Sequence, residues 1–370
     1  MSSLDDIMNG VELELFSEDE IWIEKDDTEI QVQKKDEENK QINSFNNDLF
    51  DNEEFWVKIE KKLNNELKKW WDWKRKVAIL IDWTNFLFRF YYWIDPFFDV
   101  TRFWQENINW VYWMLKKIFW HMQQKVDYLY VCWEWWNSFR KKIFPQYKAN
   151  RVEKPNNIKF QATILNRLLK KLNIPSLYYE WYEWDDVIWT LTNTIYEKEN
   201  WNVDIYINST DKDFCQLLRE WVYLFKPQRK QIYTIEDFKK EYEIDHKYFI
   251  DYLSIIWDKS DNIEWLVWVW KKWAIKLINR YWTIENLYKN AKDAINEWLI
   301  PKKTLQTFLT KECLQKLLFN KKLITLSNIE NIECKYIYEY WITYENIKKS
   351  ILEDLWLESF EYQINDIFTY

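Results

Sequence analysis

The stretch Val77-Ala78-Ile79-Leu80-Ile81-Asp82 is an unbroken apolar run of strand length closed by a carboxylate, the pattern of a strand buried on both faces. Two further runs share its character, YLYVCWE at 128–134 and VDIYINST at 203–210. Between them lie helical patterns, ATILNRLLKKL at 162–172 and VIWTLTNTIYEKE at 187–199. Apolar strands alternating with amphipathic helices predict an α/β fold with an open, mostly parallel sheet flanked by helices. Helical patterns dominate after about residue 235.

The acids fall where this topology gives them meaning. Asp82 closes the first strand, Glu134 closes the second, and Asp211 and Asp213 follow the third. In an open parallel sheet the carboxyl ends of the strands share one edge, where ligands bind. Glu183, Asp185 and Asp186 precede the helix that starts near Val187, where negative charge suits the helix dipole. A last pair, Asp258 and Asp261, lies in IIWDKSDNIEW. A single Asp after a strand is as readily a turn former or helix cap. This many carboxylates at one edge would repel one another unless cations neutralise them.

Oxygen ligands select Mg²⁺ or Mn²⁺. The four cysteines form no CxxC pair and there are only two histidines, which argues against zinc. Two hard ions about 4 Å apart would activate water and stabilise a leaving oxygen in phosphodiester hydrolysis.

The formal charge of -8 is unevenly spread. Residues 1–60 hold 5 Lys and Arg against 19 Asp and Glu, so the body of the chain is mildly basic. That acidic segment has little apolar periodicity and reads as a disordered or loosely helical extension. No targeting signal or membrane-length apolar run stands out, and the chain reads as a cytoplasmic protein.

The composition holds an anomaly: Trp 28 against Gly 1, where an average chain carries roughly 7% Gly. Tryptophans sit at turn-like positions, including Trp83, Trp181, Trp201, Trp221 and Trp282. Turns favour Gly, whereas Trp belongs in apolar, partly buried surroundings. The triplet UGA is read as Trp in some genetic codes and as Gly in others, so a decoding exchange would account for the pattern.

From about residue 76 to 370 the chain resembles the 5′ nuclease domain of bacterial DNA polymerase I and its flap-endonuclease relatives, a PIN-like fold. The resemblance lies in ILIDWTNFLFRFYY (79–92), SFRKKIFPQYKANR (138–151), EWYEWDDVIWTL (180–191), STDKDFCQLL (209–218) and WDKSDNIEWLVWVWKKWAIKLI (257–278). Writing Gly for the turn tryptophans improves the three blocks that contain them.

The resemblance implies that Asp82, Glu134, Glu183, Asp185, Asp186, Asp211, Asp213, Asp258 and Asp261 hold two or more Mg²⁺ or Mn²⁺ ions. At Glu134 the family has Asp, with one more residue before the Phe-Arg pair. Lys148 and Arg151 resemble basic residues at the base of a helical arch, against the scissile phosphate, and Arg89 and Arg140 resemble further phosphate contacts. Residues 265–278 resemble a helix-hairpin-helix element around a monovalent ion such as K⁺. There Trp265, Trp268 and Trp270 stand at small turn positions, and Lys271, Lys272 and Lys276 attract DNA.

The implied organisation is an acidic extension over 1–60, a catalytic α/β domain over 76–235, and a helix-hairpin-helix region with a helical tail over 236–370. The implied protein is a standalone monomeric 5′-3′ exonuclease and flap endonuclease. It would act on DNA with a 5′ flap, a 5′ end or an RNA primer, in primer removal and repair. Two alternatives remain open, a catalytically weak DNA-junction binder and a PIN-like ribonuclease.

Overall fold

Strand β1 (Lys76–Asp82) lies at the centre of a six-stranded sheet because its neighbours on both sides are equally apolar. The computed structural model describes residues 75–83, 102–103, 106–107, 109–133, 138–151, 156–226, 231–256, 261–262, 269–297, 299–353, 355 and 357–368. The acidic extension expected over residues 1–60 lies outside them.

The other strands are β2 (Arg102–Phe103), β3 (Glu106–Asn107), β4 (Tyr128–Cys132), β5 (Ser176–Leu177), β6 (Val203–Asn208), β7 (Val222–Lys226) and β8 (Gln231–Tyr233). The main sheet runs β5-β4-β1-β6-β7-β8, and β2 and β3 form a separate antiparallel pair. Every pairing in the main sheet is parallel except β7 with β8. The mostly parallel α/β expectation therefore holds. The three runs read from the sequence are β1, β4 and β6, side by side.

Helices α1 (Asn109–Gln123), α2 (Phe139–Ile143), α3 (Asn156–Lys171) and α4 (Trp184–Lys198) follow the first strands. In α4, Val187, Ile188, Leu191 and Ile195 recur at helical spacing and are all buried. They turn that face onto β1, β4 and β6. Three acids at its start and none of the opposite sign complement the helix dipole.

From Ile235 onward the described elements are almost all helical. A half-buried ion cluster, with Asp251 at its buried end, ties them together. The Lys321 ammonium donates to Asp251 Oδ1 at 2.6 Å and to both Glu285 oxygens at 2.9 and 3.0 Å. Asp251 Oδ1 also accepts from the Ile284 amide at 3.0 Å. This joins helix Phe249–Ile255, helix Ile284–Lys289 and helix Lys311–Ile324. Breaking a buried pair strands a charge in a medium that solvates it poorly. Lys321→Ala is expected to cost about 3 kcal/mol, measured by urea unfolding; a loss of a few tenths would show that the cluster is dispensable.

Candidate active site

The parallel register carries the chain to the site. Asp82 lies opposite Cys132 of β4, and Ile81 lies opposite Asn208 of β6, so the three strands end level. Directly beyond β6, Ser209 Oγ donates to Asp82 Oδ2 at 2.6 Å and accepts from the Asp211 amide at 3.0 Å. One fully buried hydroxyl thus spans two carboxylate-bearing segments that are far apart in the chain. Asp211 then turns back, its Oδ1 accepting from the Asp213 amide at 3.0 Å.

A second group gathers at the start of α4. Lys148, only 8% exposed, donates from Nζ to Glu183 Oε1 at 2.8 Å. Tyr147 Oη stands 3.2 Å from Glu183 Oε2 and 3.0 Å from Asp261 Oδ2. Arg151 Nη2 donates to Asp261 Oδ1 at 2.9 Å, and the Lys148 amide donates to the Asp261 carbonyl at 3.1 Å. Lys148 has a left-handed backbone, φ 57°, a conformation that costs a residue with a Cβ and concentrates at functional sites. The YKANR stretch is therefore folded against the acids.

Arg140 and Asp186 form the frame behind these groups. The Arg140 guanidinium donates to Asp186 Oδ2 at 2.6 Å and Oδ1 at 2.8 Å, and to Glu183 Oε2 at 3.2 Å. Its remaining donors reach the carbonyls of Leu323 at 2.8 Å and Thr325 at 3.0 Å. Asp186 further accepts from the amides of Glu183 at 3.2 Å and Ser327 at 2.8 Å.

Electrostatics set Asp185 apart. Burial pushes its carboxyl well above the usual range; Asp211, Glu183 and Asp82 push it the same way, and only Lys148 opposes them. Its Oδ1 is shut from solvent with no hydrogen-bond partner. Burial also raises Asp211, with Asp261 adding to it, against the Asp213 amide, Lys148 and Lys212. Burial alone would lower Lys148, but Glu183 and Asp261 outweigh it and hold the ammonium charged. Burial, Glu183 and Asp261 push the Tyr147 phenol well up, so it keeps its proton to donate.

An orphaned carboxylate oxygen in a field of like charge, with oxygen donors around it, fits a hard divalent cation. Yet among the described residues no three His, Cys, Asp or Glu side chains close on one point that could hold an ion. The acids stand within electrostatic range, and Lys148 and Arg140 supply the positive charge.

Of the expected ligands and contacts, Asp82, Glu183, Asp185, Asp211 and Asp261 come together with Lys148 and Arg151. Asp186 is fully buried, and each of its oxygens accepts two hydrogen bonds within the protein. Arg140 is 1% exposed and turns its donors inward, onto two acids and two carbonyls. Asp213 follows Asp211 beyond the end of β6, and its charge adds to the burial that raises Cys215 and Tyr242.

Arg89, Glu134, Asp258, Trp265 and Trp268 lie outside the described residues. Trp270 precedes helix Lys271–Tyr281 at φ −65°, and Lys271, Lys272 and Lys276 are exposed on that helix. Sequence reasoning passed over Ser209 and Tyr147. Both stand inside quoted motifs, STDKD and YKANR, but neither is an acid or a base.

The 5′-3′ exonuclease, N-terminal resolvase-like domain family matches residues 77–243. A 5′-3′ exonuclease of Aquifex aeolicus (strain VF5) is 30% identical over 217 residues, covering 58% of this chain and 73% of that one. The chain belongs to the 5′-3′ exonuclease family.

Among solved structures, the T5 D15 protein co-crystallised with metal ions superposes with a TM-score of 0.52 at 20% identity. It covers 79% of this chain and 99% of that one. The bacteriophage T5 D15 flap endonuclease, as a variant in a pseudo-enzyme-product complex with DNA and metal ions, gives 0.50 at 19%, with the same coverage. At such identity the likeness speaks for the fold.

Two outcomes follow from the geometry. The folded Asp185 titrates above its unfolded value, so the stability it contributes without metal is full below the unfolded pKa. That contribution is lost as pH rises through the folded value. Asp185→Asn is therefore expected to raise the neutral-pH Tm of metal-free protein while leaving it unchanged in acid; a lower Tm at neutral pH would show the carboxylate to be well satisfied. Ser209→Ala should weaken Mn²⁺ binding about 10-fold by titration calorimetry; wild-type affinity would show that Asp82 needs no anchor.

Proposed function

We propose that this nuclease cuts DNA at 5′ ends and 5′ flaps by hydrolysing phosphodiesters with Mg²⁺ or Mn²⁺. The observation that carries the reading is the buried, unpartnered oxygen of Asp185 in the field of Asp82, Glu183 and Asp211, beside the basic YKANR stretch. Asp82, Asp185, Asp211 and Glu183 would hold the ions, with Asp258, Asp261 and Glu134 completing the set. The ions, when bound, activate water and neutralise charge on the phosphate.

The rest falls to the chain's own groups. Lys148 and Arg151 receive the scissile phosphate and offset charge that develops there. Exposed Lys271, Lys272 and Lys276 hold duplex phosphates in register, and those contacts weaken as salt rises. The hairpin segment before them would take a monovalent ion such as K⁺. We assign catalysis to residues 76–235 and duplex binding to 236–370. Primer and flap removal by a cytoplasmic monomer is the matching task. Among the described residues no helix is long and apolar enough to cross a membrane.

A second reading has its own observation, the lack of any three described acids in ligation range. On that reading the chain binds DNA junctions without cutting. A 5′-labelled flap incubated with Mg²⁺ or with chelator separates the two. Release of the flap near the junction in Mg²⁺ alone is expected; binding without release in either buffer would establish the second reading.

Asp211→Asn should abolish release while junction affinity stays unchanged, and residual turnover at the wild-type rate would remove Asp211 from the site. Lys148→Ala should lower kcat about 100-fold with a smaller change in KM, the signature of an interaction made in the transition state.

A further inference from the structure

Twelve described residues other than Gly have positive φ, and five of them are tryptophan: Trp181, Trp201, Trp221, Trp282 and Trp341. Left-handed backbone crowds a Cβ, and among non-Gly residues Asn and Asp are those that tolerate it. Asn supplies four of the remaining seven. Tryptophan has no such local compensation.

The hydrogen bonds name the turn each Trp occupies. Tyr182 donates to the Tyr179 carbonyl at 3.2 Å, with Trp181 at φ 71° in the third place of the turn. Val222 donates to Arg219 at 3.1 Å around Trp221 at φ 67°. Both are turns whose third residue calls for Gly. Asn202 donates to Glu199 at 3.0 Å around Asn200 at 48° and Trp201 at 67°, the doubly left-handed turn that favours Asn followed by Gly. At Trp282, φ 68° and ψ −56° with Thr283 donating to Tyr281 at 2.8 Å describe a γ-turn, a strained conformation.

The side chains give a second, independent sign. Trp201, Trp282 and Trp341 are 66%, 55% and 83% exposed, and Trp181 stands at the surface too. Trp221 is half-buried, Trp201 stacks on Tyr196, and the Lys142 ammonium lies over the Trp181 ring. An indole buried in a core would offset backbone strain with extensive apolar contact; one mostly exposed offsets less. Trp83, a turn candidate from sequence, behaves differently. It is 5% exposed, packs on Trp133 with ring centroids 4.4 Å apart, and is not among the positive-φ residues. Position in the fold, and not Trp content alone, separates the two groups.

We infer that glycine is the native residue at positions 181, 201, 221, 282 and 341, and that the chain is decoded in its own cells with a codon that reads Gly where the written sequence has Trp. The exchange reaches the active site. The Trp181 carbonyl accepts from the Phe139 amide at 2.7 Å, so this turn seats α2 and with it Arg140 against Glu183.

Two experiments test this, and neither depends on cleavage. Peptide mass spectrometry of the protein from its native cells should find Gly at all five positions; Trp at the four hydrogen-bonded turns overturns the inference. For recombinant protein, the chain as written is compared with the fivefold Trp→Gly and the fivefold Trp→Ala variants. The Gly variant should melt about 10 °C above the written chain, and the Ala variant should fall well short of it because it keeps a Cβ at positive φ. Equal gains from Ala and Gly would trace the benefit to losing an exposed indole, and no gain from Gly would show that the turns tolerate Trp; either result overturns the inference.

Discussion

The two-pronged contact between Arg140 and Asp186 is the constraint on which the site depends. Through it helix α2, the start of α4 and the segment 323–327 are fixed to one another in a buried place where an unpaired charge is costly. Glu183 is caught in the same grip, and through Glu183 so are Lys148 and Tyr147. The C-terminal helices are thus part of the site's scaffold: Ile329 continues the contact by donating to Thr190 Oγ1 on α4.

The fold was legible because two-sided burial forces strands to be uniformly apolar, and because carboxylates at strand ends have one physical consequence in a parallel sheet. β1, β4 and β6 were visible for the first reason; Asp82 and Asp211 were visible for the second. Asp185 was readable from its place at a helix start, although its neighbours' separate duties were not. Glu183, Asp185 and Asp186 look alike in sequence. Only packing reveals that one faces Lys148, one is orphaned and one is saturated.

The surroundings of Arg140 were hidden for a related reason. Arginine is mostly exposed and suits phosphate, and nothing in SFRKK says that its donors turn inward to two carbonyls and two acids. Ser209 and Tyr147 were invisible because their part is to connect charged groups, and a neutral hydroxyl advertises no such task. The turn tryptophans were legible from composition, but Trp83 shows the limit of that reading, since a turn-like neighbourhood in sequence need not be left-handed in space.

Lys148 gives the site a property that a bare acidic pocket would lack. With its ammonium already seated on Glu183 and its backbone held left-handed, one of the clustered acids is offset by a charge the chain itself carries. That tethered cation lies on the same short stretch of chain as Arg151, whose guanidinium offsets Asp261 in the same way. Folding of the acidic edge therefore has a built-in counter-ion, supplied three residues apart from one loop.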